Sequence, residues 1–286
     1  MMGRLTRIFA EVVEMDWKII LLLGLSILNH AYGEPKFIVV GRSAFSTANK
    51  PDVDLRGEIT RLNIPIRNQG SRNTCSVHVM TFLLEYNQAE WLGESGMDLS
   101  EEYLNWAANT ATLTNADGGF FTEMNTGYQT LGIARESALA YQSTFMTNQP
   151  TIDLNMLNAA KKMIGLKFEI IKPWKNTEGA TDIQIRNAAT ALLLGMPVGM
   201  GSLWQKSTTD MEVIEGLNFV KTPAANNVSD GHSVSLVGFK YSNLFPGGGY
   251  FIIRNSWGTG FGDSGYAYIT FDFVKKFAND LVYYHR

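Results

Sequence analysis

Between residues 77 and 92 apolar side chains crowd the chain: Val77, Met80, Phe82, Leu83, Leu84, Tyr86, Trp91 and Leu92 leave little polar face. The pattern predicts a long, largely buried helix. A Gly/Ser/Asn/Thr loop precedes it, with Asn73 or Thr74 placed as the N-cap. Further on, Ser100 caps a second helix with acids in its first turn. Residues 121–131 predict a third helix that stops at Gly132, and residues 153–163 a fourth. From Gly165 the period becomes two, with Leu166, Phe168 and Ile170 alternating as in a half-buried strand. A helix over 182–194 follows Thr181. Strand patterns then occupy 198–203, 233–241, 250–254, 266–271 and 281–284. The chain is helical first and sheet-forming second, which predicts two lobes with a cleft between them as the favoured place for a site.

The ends of the pattern are less regular. Residues 19–28 (IILLLGLSIL) form an apolar run too short to span a bilayer comfortably and suited to the core of a secretory signal peptide. Ala31-Tyr32-Gly33 supplies small residues for cleavage. Glu11, Glu14 and Asp16 dilute the positive charge expected of a leader, whereas a start at Met15 gives a compact, conventional signal. The expected product is exported, touching a membrane only transiently through this segment; the alternative is an uncleaved membrane anchor. Residues 34–50 read as a linker, and Ile64-Pro65-Ile66 as an extended lead into the loop before the long helix. Pro223 to Gly231 is turn-rich, and Gly247-Gly-Gly marks another tight connection.

Composition narrows the chemistry. The 286 residues are 45% hydrophobic and 18% charged, with a net charge of −3, an ordinary globular balance. No Lys/Arg run marks a nucleic-acid surface. One cysteine excludes an internal disulfide and the familiar zinc patterns, so no metal site is expected. That cysteine, Cys75, falls at the first turn of the long helix. Unpaired N–H groups and the macrodipole there favour negative charge, so its pKa is expected to be lowered and the thiol to act as a nucleophile. The plain alternative is a lone cysteine serving as a small buried hydrophobe.

A thiol nucleophile needs a base and a group to orient that base. Four histidines are available. His30 lies in the expected signal, His78 projects along the Cys75 helix, and His285 ends the chain where order is often poor. His232, at the start of a strand, is left as the base. Asn255, ending a later strand, can accept from one imidazole nitrogen and leave the other facing the thiol. Trp257 can shield that bond from water. A zinc hydrolase lacks ligands here, and a serine hydrolase lacks a Gly-x-Ser-x-Gly elbow in a suitable setting.

QGSRNTC around Cys75, GHSVSLVGF around His232 and IIRNSWGTGFGDSGY around Asn255, in that order, resemble the three signature blocks of the papain-like cysteine peptidases. Asp54-Leu-Arg and Ile64-Pro-Ile-Arg-Asn-Gln-Gly resemble the start of a mature enzyme of that family. Asp117-Gly118-Gly119 resembles its substrate-holding glycine pair, and Met196-Pro-Val-Gly the strand beside its main specificity pocket. The likeness spans about residues 51–286. It implies an α+β papain-like fold, with a helical N-terminal lobe over about 68–164, an antiparallel β-rich lobe over 165–286 and the active site in the cleft.

The resemblance also implies roles. Cys75 would be the nucleophile, His232 the general acid/base, Asn255 its orienting partner and Gln69 an oxyanion donor with the Cys75 N–H. Losing one such donor typically costs about 3 kcal/mol of transition-state stabilisation. Gly118, Gly119 and Trp257 would flank the substrate. Hydrolysis would pass through a thioester acyl-enzyme and need no cofactor. The partner would be a peptide or protein substrate. Two alternatives keep the fold: a catalytically silent binding protein, and a transpeptidase or ligase that uses an amine in place of water.

Departures are specific. Arg72 stands where relatives usually place a second cysteine, Ser76 where an aromatic residue usually follows the nucleophile, and Phe261 where tryptophan is common. The usual disulfides are therefore absent, as expected of a bacterial-type member. Residues 34–50 are too few for the family's folded inhibitory prodomain and read as a linker or vestigial pro-segment. Such an enzyme needs no zymogen or is restrained by a separate protein inhibitor. Segment 205–230 is the candidate for closing one end of the cleft.

Overall fold

The computed structural model of the chain describes residues 52–176, 178–206 and 210–286. The expected signal segment 1–33 and linker 34–50 lie outside the described residues. A two-residue strand, β1 (Val53–Asp54), and a short helix, α1 (Arg56–Arg61), come first. The apolar run then forms α2 (Cys75–Leu92), ended by Gly93 in the left-handed conformation at φ 62°. Ser100 caps α3 (Glu101–Thr112), its Oγ accepting the Tyr103 N–H at 2.9 Å. Next come α4 (Phe121–Leu131), α5 (Leu154–Ala159), β2 (Lys167–Lys172) and α6 (Asp182–Leu193). The remainder is mostly sheet: β3 (Val198–Gln205), β4 (Met211–Ile214), β5 (Leu217–Val220), β6 (Val228–Tyr241), β7 (Gly249–Arg254) and β8 (Tyr266–Thr270). A helix, α7 (Phe271–Phe277), and the strand β9 (Ala278–His285) close the chain.

The strands form one sheet in the order β2-β9-β3-β6-β7-β8-β5-β4, with β1 paired to β6. Pairing is antiparallel except between β5 and β8. The helices α2, α3 and α4 build one apolar cluster around Phe82, Leu83, Tyr103, Leu104 and Phe121. A second cluster fills the space between the sheet and α6 and α7, around Trp204, Phe251, Phe273 and Leu281. Each fully buried side chain of this size contributes about 1.5–3 kcal/mol against exposure to water. Gly199 lets α2 approach β3, because a Cβ there would lie 2.9 Å from Val79. The cysteine end of α2 is thereby held close to the centre of the sheet. Fold class and the helical-then-sheet order agree with the sequence reading.

Several local expectations are corrected. The 153–163 helix shrinks to α5, because Ala160 turns extended and Lys161 pairs with Ile133. Strand β6 begins at Val228, inside the turn-rich segment. The short helices α1 and α7 had no period long enough to show in the sequence; Thr270 caps α7 through its Oγ, 3.1 Å from the Phe273 N. The described part of segment 205–230 contributes no residue to the cavity beside Cys75. It folds into β4 and β5 at the sheet edge beyond β8, because Phe219 is buried there against Phe245, Tyr250 and Tyr268. Among the described residues no helix is long and apolar enough to cross a membrane.

Candidate active site

Thr74 precedes α2 without using its side chain as a cap; its hydroxyl instead meets Tyr141 Oη at 2.6 Å. Cys75 is the first residue of α2 and is half-buried. Ser233, the residue after His232 on β6, lines the same cavity as Cys75. The expected lowering of its pKa does not hold. Burial pushes the Cys75 thiol up, and hydrogen bonds from Ser233 and from the N–H groups of Ser76 and Cys75 offset only part of this.

His232 is buried on β6, with Nε2 2.8 Å from Asn255 Oδ1. Asn255 Oδ1 also accepts the Ser256 N–H at 2.8 Å, which fixes the amide. An amide oxygen accepts only, so Nε2 carries the proton and Nδ1 is left as the basic nitrogen. Trp257 stacks on the imidazole at 4.4 Å with planes 23° apart. Trp204, at the far end of β3, adds an edge contact at 4.9 Å. Burial between these rings lowers the His232 pKa to about 4, with the Asn255 bond acting in the opposite direction.

Gln69 is held from three sides. Its Nε2 donates to Arg72 O at 2.8 Å, its Oε1 accepts from Ser256 Oγ at 2.7 Å, and its backbone N–H donates to Ser256 O at 2.8 Å. One amide hydrogen therefore stays uncommitted beside the start of α2. The Gln69 loop and the segment after Asn255 are laced together further by the Asn68–Trp257 bridge.

Arg72, at the position of the family's second cysteine, is buried and ion-paired to Glu102 and to Asp117, the latter at 2.8 Å. It also donates to Gln142 O at 2.9 Å and lies over the Tyr141 ring at 4.7 Å. Asp117 in turn accepts the Asn73 N–H at 3.2 Å. The next residue, Gly118, has φ 91°, and a Cβ there would sit 2.1 Å from Asn73 O, so only glycine fits. Gly118 N–H donates to Asn105 Oδ1 at 3.0 Å and Gly119 N–H to Ser76 Oγ at 3.2 Å. The glycine pair thus meets the cysteine loop, with both N–H groups already engaged. Ser76 secures Gly119 from the position where relatives carry an aromatic ring.

A cavity of about 350 Å³ runs along these residues, with Cys75, His232, Ser233 and Gly119 in its wall. Asn255, Gln69, Gly118 and Trp257 do not line it. His78 is apart from it, buried and bonded through Nδ1 to Thr74 O at 3.0 Å. His285, expected at a frayed end, is instead buried in β9 with Nε2 3.2 Å from Glu169. Among the described residues no group of three or more His, Cys, Asp or Glu side chains is placed to hold a metal ion. Sequence reasoning missed Trp204, Ser233, Ser256 and Tyr141. Ser233 and Ser256 directly follow His232 and Asn255 and could have been found by adjacency; Trp204 and Tyr141 arrive only through tertiary packing.

A buried imidazole bonded to an amide oxygen thus shares one cavity with the single thiol of the chain. The chain belongs to the papain family: the family model described as papain family cysteine protease matches residues 50–283. Cysteine proteinase 1 of Entamoeba histolytica is 24% identical over 217 residues, covering 74% of this chain and 60% of that protein. The chain therefore spans about three-fifths of the length of this curated relative. Among solved structures, xylellain, a cysteine protease from Xylella fastidiosa, matches with TM-score 0.61 and 18% identity, over 83% of this chain and 86% of that one. Digestive procathepsin L2 from Tenebrio molitor larval midgut matches with TM-score 0.59 and 22% identity, over 84% and 70%. These two likenesses concern the fold.

Proposed function

We propose that the protein is a cysteine peptidase that hydrolyses peptide bonds through a thioester at Cys75. The observation that carries this reading is the bond from His232 Nε2 to Asn255 Oδ1, beside a cavity shared by His232 and the chain's single thiol. In the first step Cys75 Sγ attacks the substrate carbonyl while His232 Nδ1 takes the thiol proton. The oxyanion is met by the free Gln69 amide hydrogen and the Cys75 N–H. The imidazolium then gives its proton to the leaving amine, and a water deprotonated by the same nitrogen releases the acyl group. Export rests on the apolar run at 19–28 and belongs to the same reading.

Labelling with an epoxide that alkylates activated thiols tests the site. Stoichiometric modification of Cys75 is expected, falling sharply in His232→Ala. Folded protein that takes up no label would overturn the peptidase reading and favour a silent binding protein.

The ionisation of the pair gives a second expected outcome. Burial raises the thiol and lowers the imidazole, so the pair holds one transferable proton over a wide range. Below about pH 4 His232 takes a second proton and can no longer act as base. Well into the alkaline range the pair loses the proton that the leaving amine needs. The plot of kcat/KM against pH is expected to rise through about 4 and stay flat past neutrality. An acid limb at the ordinary histidine value of about 6.5 would contradict this account of His232.

A further inference from the structure

The cavity beside Cys75 continues away from the catalytic residues to a carboxylate that hydrolysis does not use. Asp280, on β9, is buried and lines the cavity. Its Oδ1 accepts the N–H of Gly201 on β3 at 3.1 Å. That position is available only because residue 201 has no side chain: a Cβ on Gly201 would sit 2.2 Å from Oδ1. Lys172, whose charge acts on Asp280, bonds its ammonium to the carbonyl oxygens of Asn279, at 2.6 Å, and Pro173, at 3.5 Å. Asp117, the other carboxylate in the wall, is already neutralised by Arg72. One backbone N–H and the charge of Lys172, which is shared with two carbonyl oxygens, offset only part of the cost of burying Asp280, whose pKa rises to about 6 through burial. A carboxylate in that situation is ionised at neutral pH and gains most from a partner that brings a positive charge.

Two aromatic rings line the same cavity. Phe120, just before α4, and Trp174, just after β2, both line it and are 46% and 47% exposed. Their rings meet edge to face at 5.1 Å, joining the helical side of the cleft to the sheet side. A buried anion and partly exposed rings in one cavity suit a flat or elongated cation with an apolar stem, because the stem can use the rings while the head reaches the acid.

We propose that this cavity receives an arginine or lysine side chain of the substrate, with Asp280 as its counter-charge, so that the enzyme cleaves beside cationic residues. The inference rests on the peptidase reading and adds a substrate class to it. Gly201 is a positioning residue in this scheme, keeping room for the carboxylate.

The test uses N-acetylated fluorogenic peptides in which each residue upstream of the scissile bond is varied among arginine, lysine, citrulline and leucine. Citrulline keeps the shape of arginine without its charge, and acetylation removes the peptide's own ammonium. At one upstream position the parent protein is expected to prefer arginine to citrulline by about tenfold or more in kcat/KM. Asp280→Asn, which keeps an acceptor for the Gly201 N–H, is expected to bring the two within about twofold. Equal cleavage of arginine and citrulline peptides by the parent protein would overturn the proposal while leaving the peptidase standing. So would an unchanged ratio in folded Asp280→Asn. A preference that appears only on unacetylated peptides would assign the acid to the substrate's terminal ammonium and overturn the side-chain proposal. Folded parent protein that takes the thiol label yet cleaves no peptide would overturn the substrate class alone. Failure of both labelling and cleavage would remove the peptidase reading with it.

Discussion

Cys75→Ala is expected to lower kcat on a peptide substrate by about 10⁵-fold or more, and His232→Ala to cost nearly as much. The two losses should not multiply. Attack needs a thiolate, and in this cleft burial raises the thiol pKa, so without the imidazole Cys75 ionises less readily than a free cysteine. Without the thiol, in turn, His232 has no proton to take. The double variant is therefore expected to retain about the same residual rate as either single one, the remainder coming from substrate binding and the oxyanion donors. Three kcat values, with circular dichroism to confirm folding, decide the matter. Losses that multiply in the double variant would place Cys75 and His232 in separate steps.

Arg72→Ala is expected to destabilise the fold by about 3–5 kcal/mol, the range for breaking a buried ion pair from one side. The Arg72 side chain is 2% exposed, and its partners Glu102 and Asp117 are 3% and 15% exposed. Removing the guanidinium leaves two carboxylates with little water to replace it. It also loosens the Asn73 N–H bond to Asp117, and with it the contact between the cysteine loop and Gly118. If uncompensated charge is the cause, neutralising the carboxylates as well should help. Arg72→Met combined with Glu102→Gln and Asp117→Asn is expected to recover most of the lost stability. Urea unfolding at neutral pH measures this, with the change read in the midpoint at constant slope. A shift below about 1 kcal/mol for Arg72→Ala would show that the cluster is screened like a surface pair.

The parts of the fold that the sequence made legible are those governed by local periodicity. The run from Val77 to Leu92 could only be a buried helix, and Ser100 and Thr181 cap their helices as their side chains foretold. The central strands were found from apolar runs, since β3, β7 and β9 are buried along nearly their whole length. Short pieces were not legible: α1, α7, β4 and β5 span between four and seven residues, less than a sequence period needs. Within the candidate site, Cys75, His232 and Asn255 could be singled out because chemistry limits which residues can serve, whereas Gln69 was reached only through the family resemblance. Asp280 was not singled out. It precedes the strand pattern at 281–284, and only the start of β9 at Ala278 and its pairing with β3 set it against Gly201. Likewise the direction of the Cys75 pKa depends on how much protein surrounds the thiol, which no count of residues from a helix start can supply.

The replacement of a covalent staple by the Arg72 cluster separates folding from redox chemistry. A chain with one cysteine has no internal thiol–disulfide exchange to undergo, so its native contacts are the same in a glutathione-rich compartment as in an oxidising one. Its chemistry has no such indifference. Oxidation of Cys75 to a sulfenic acid finds no resolving thiol within the chain, so recovery depends on an external reductant and further oxidation is permanent. Oxidation of Cys75 alone would silence the site without touching any covalent link that the fold depends on.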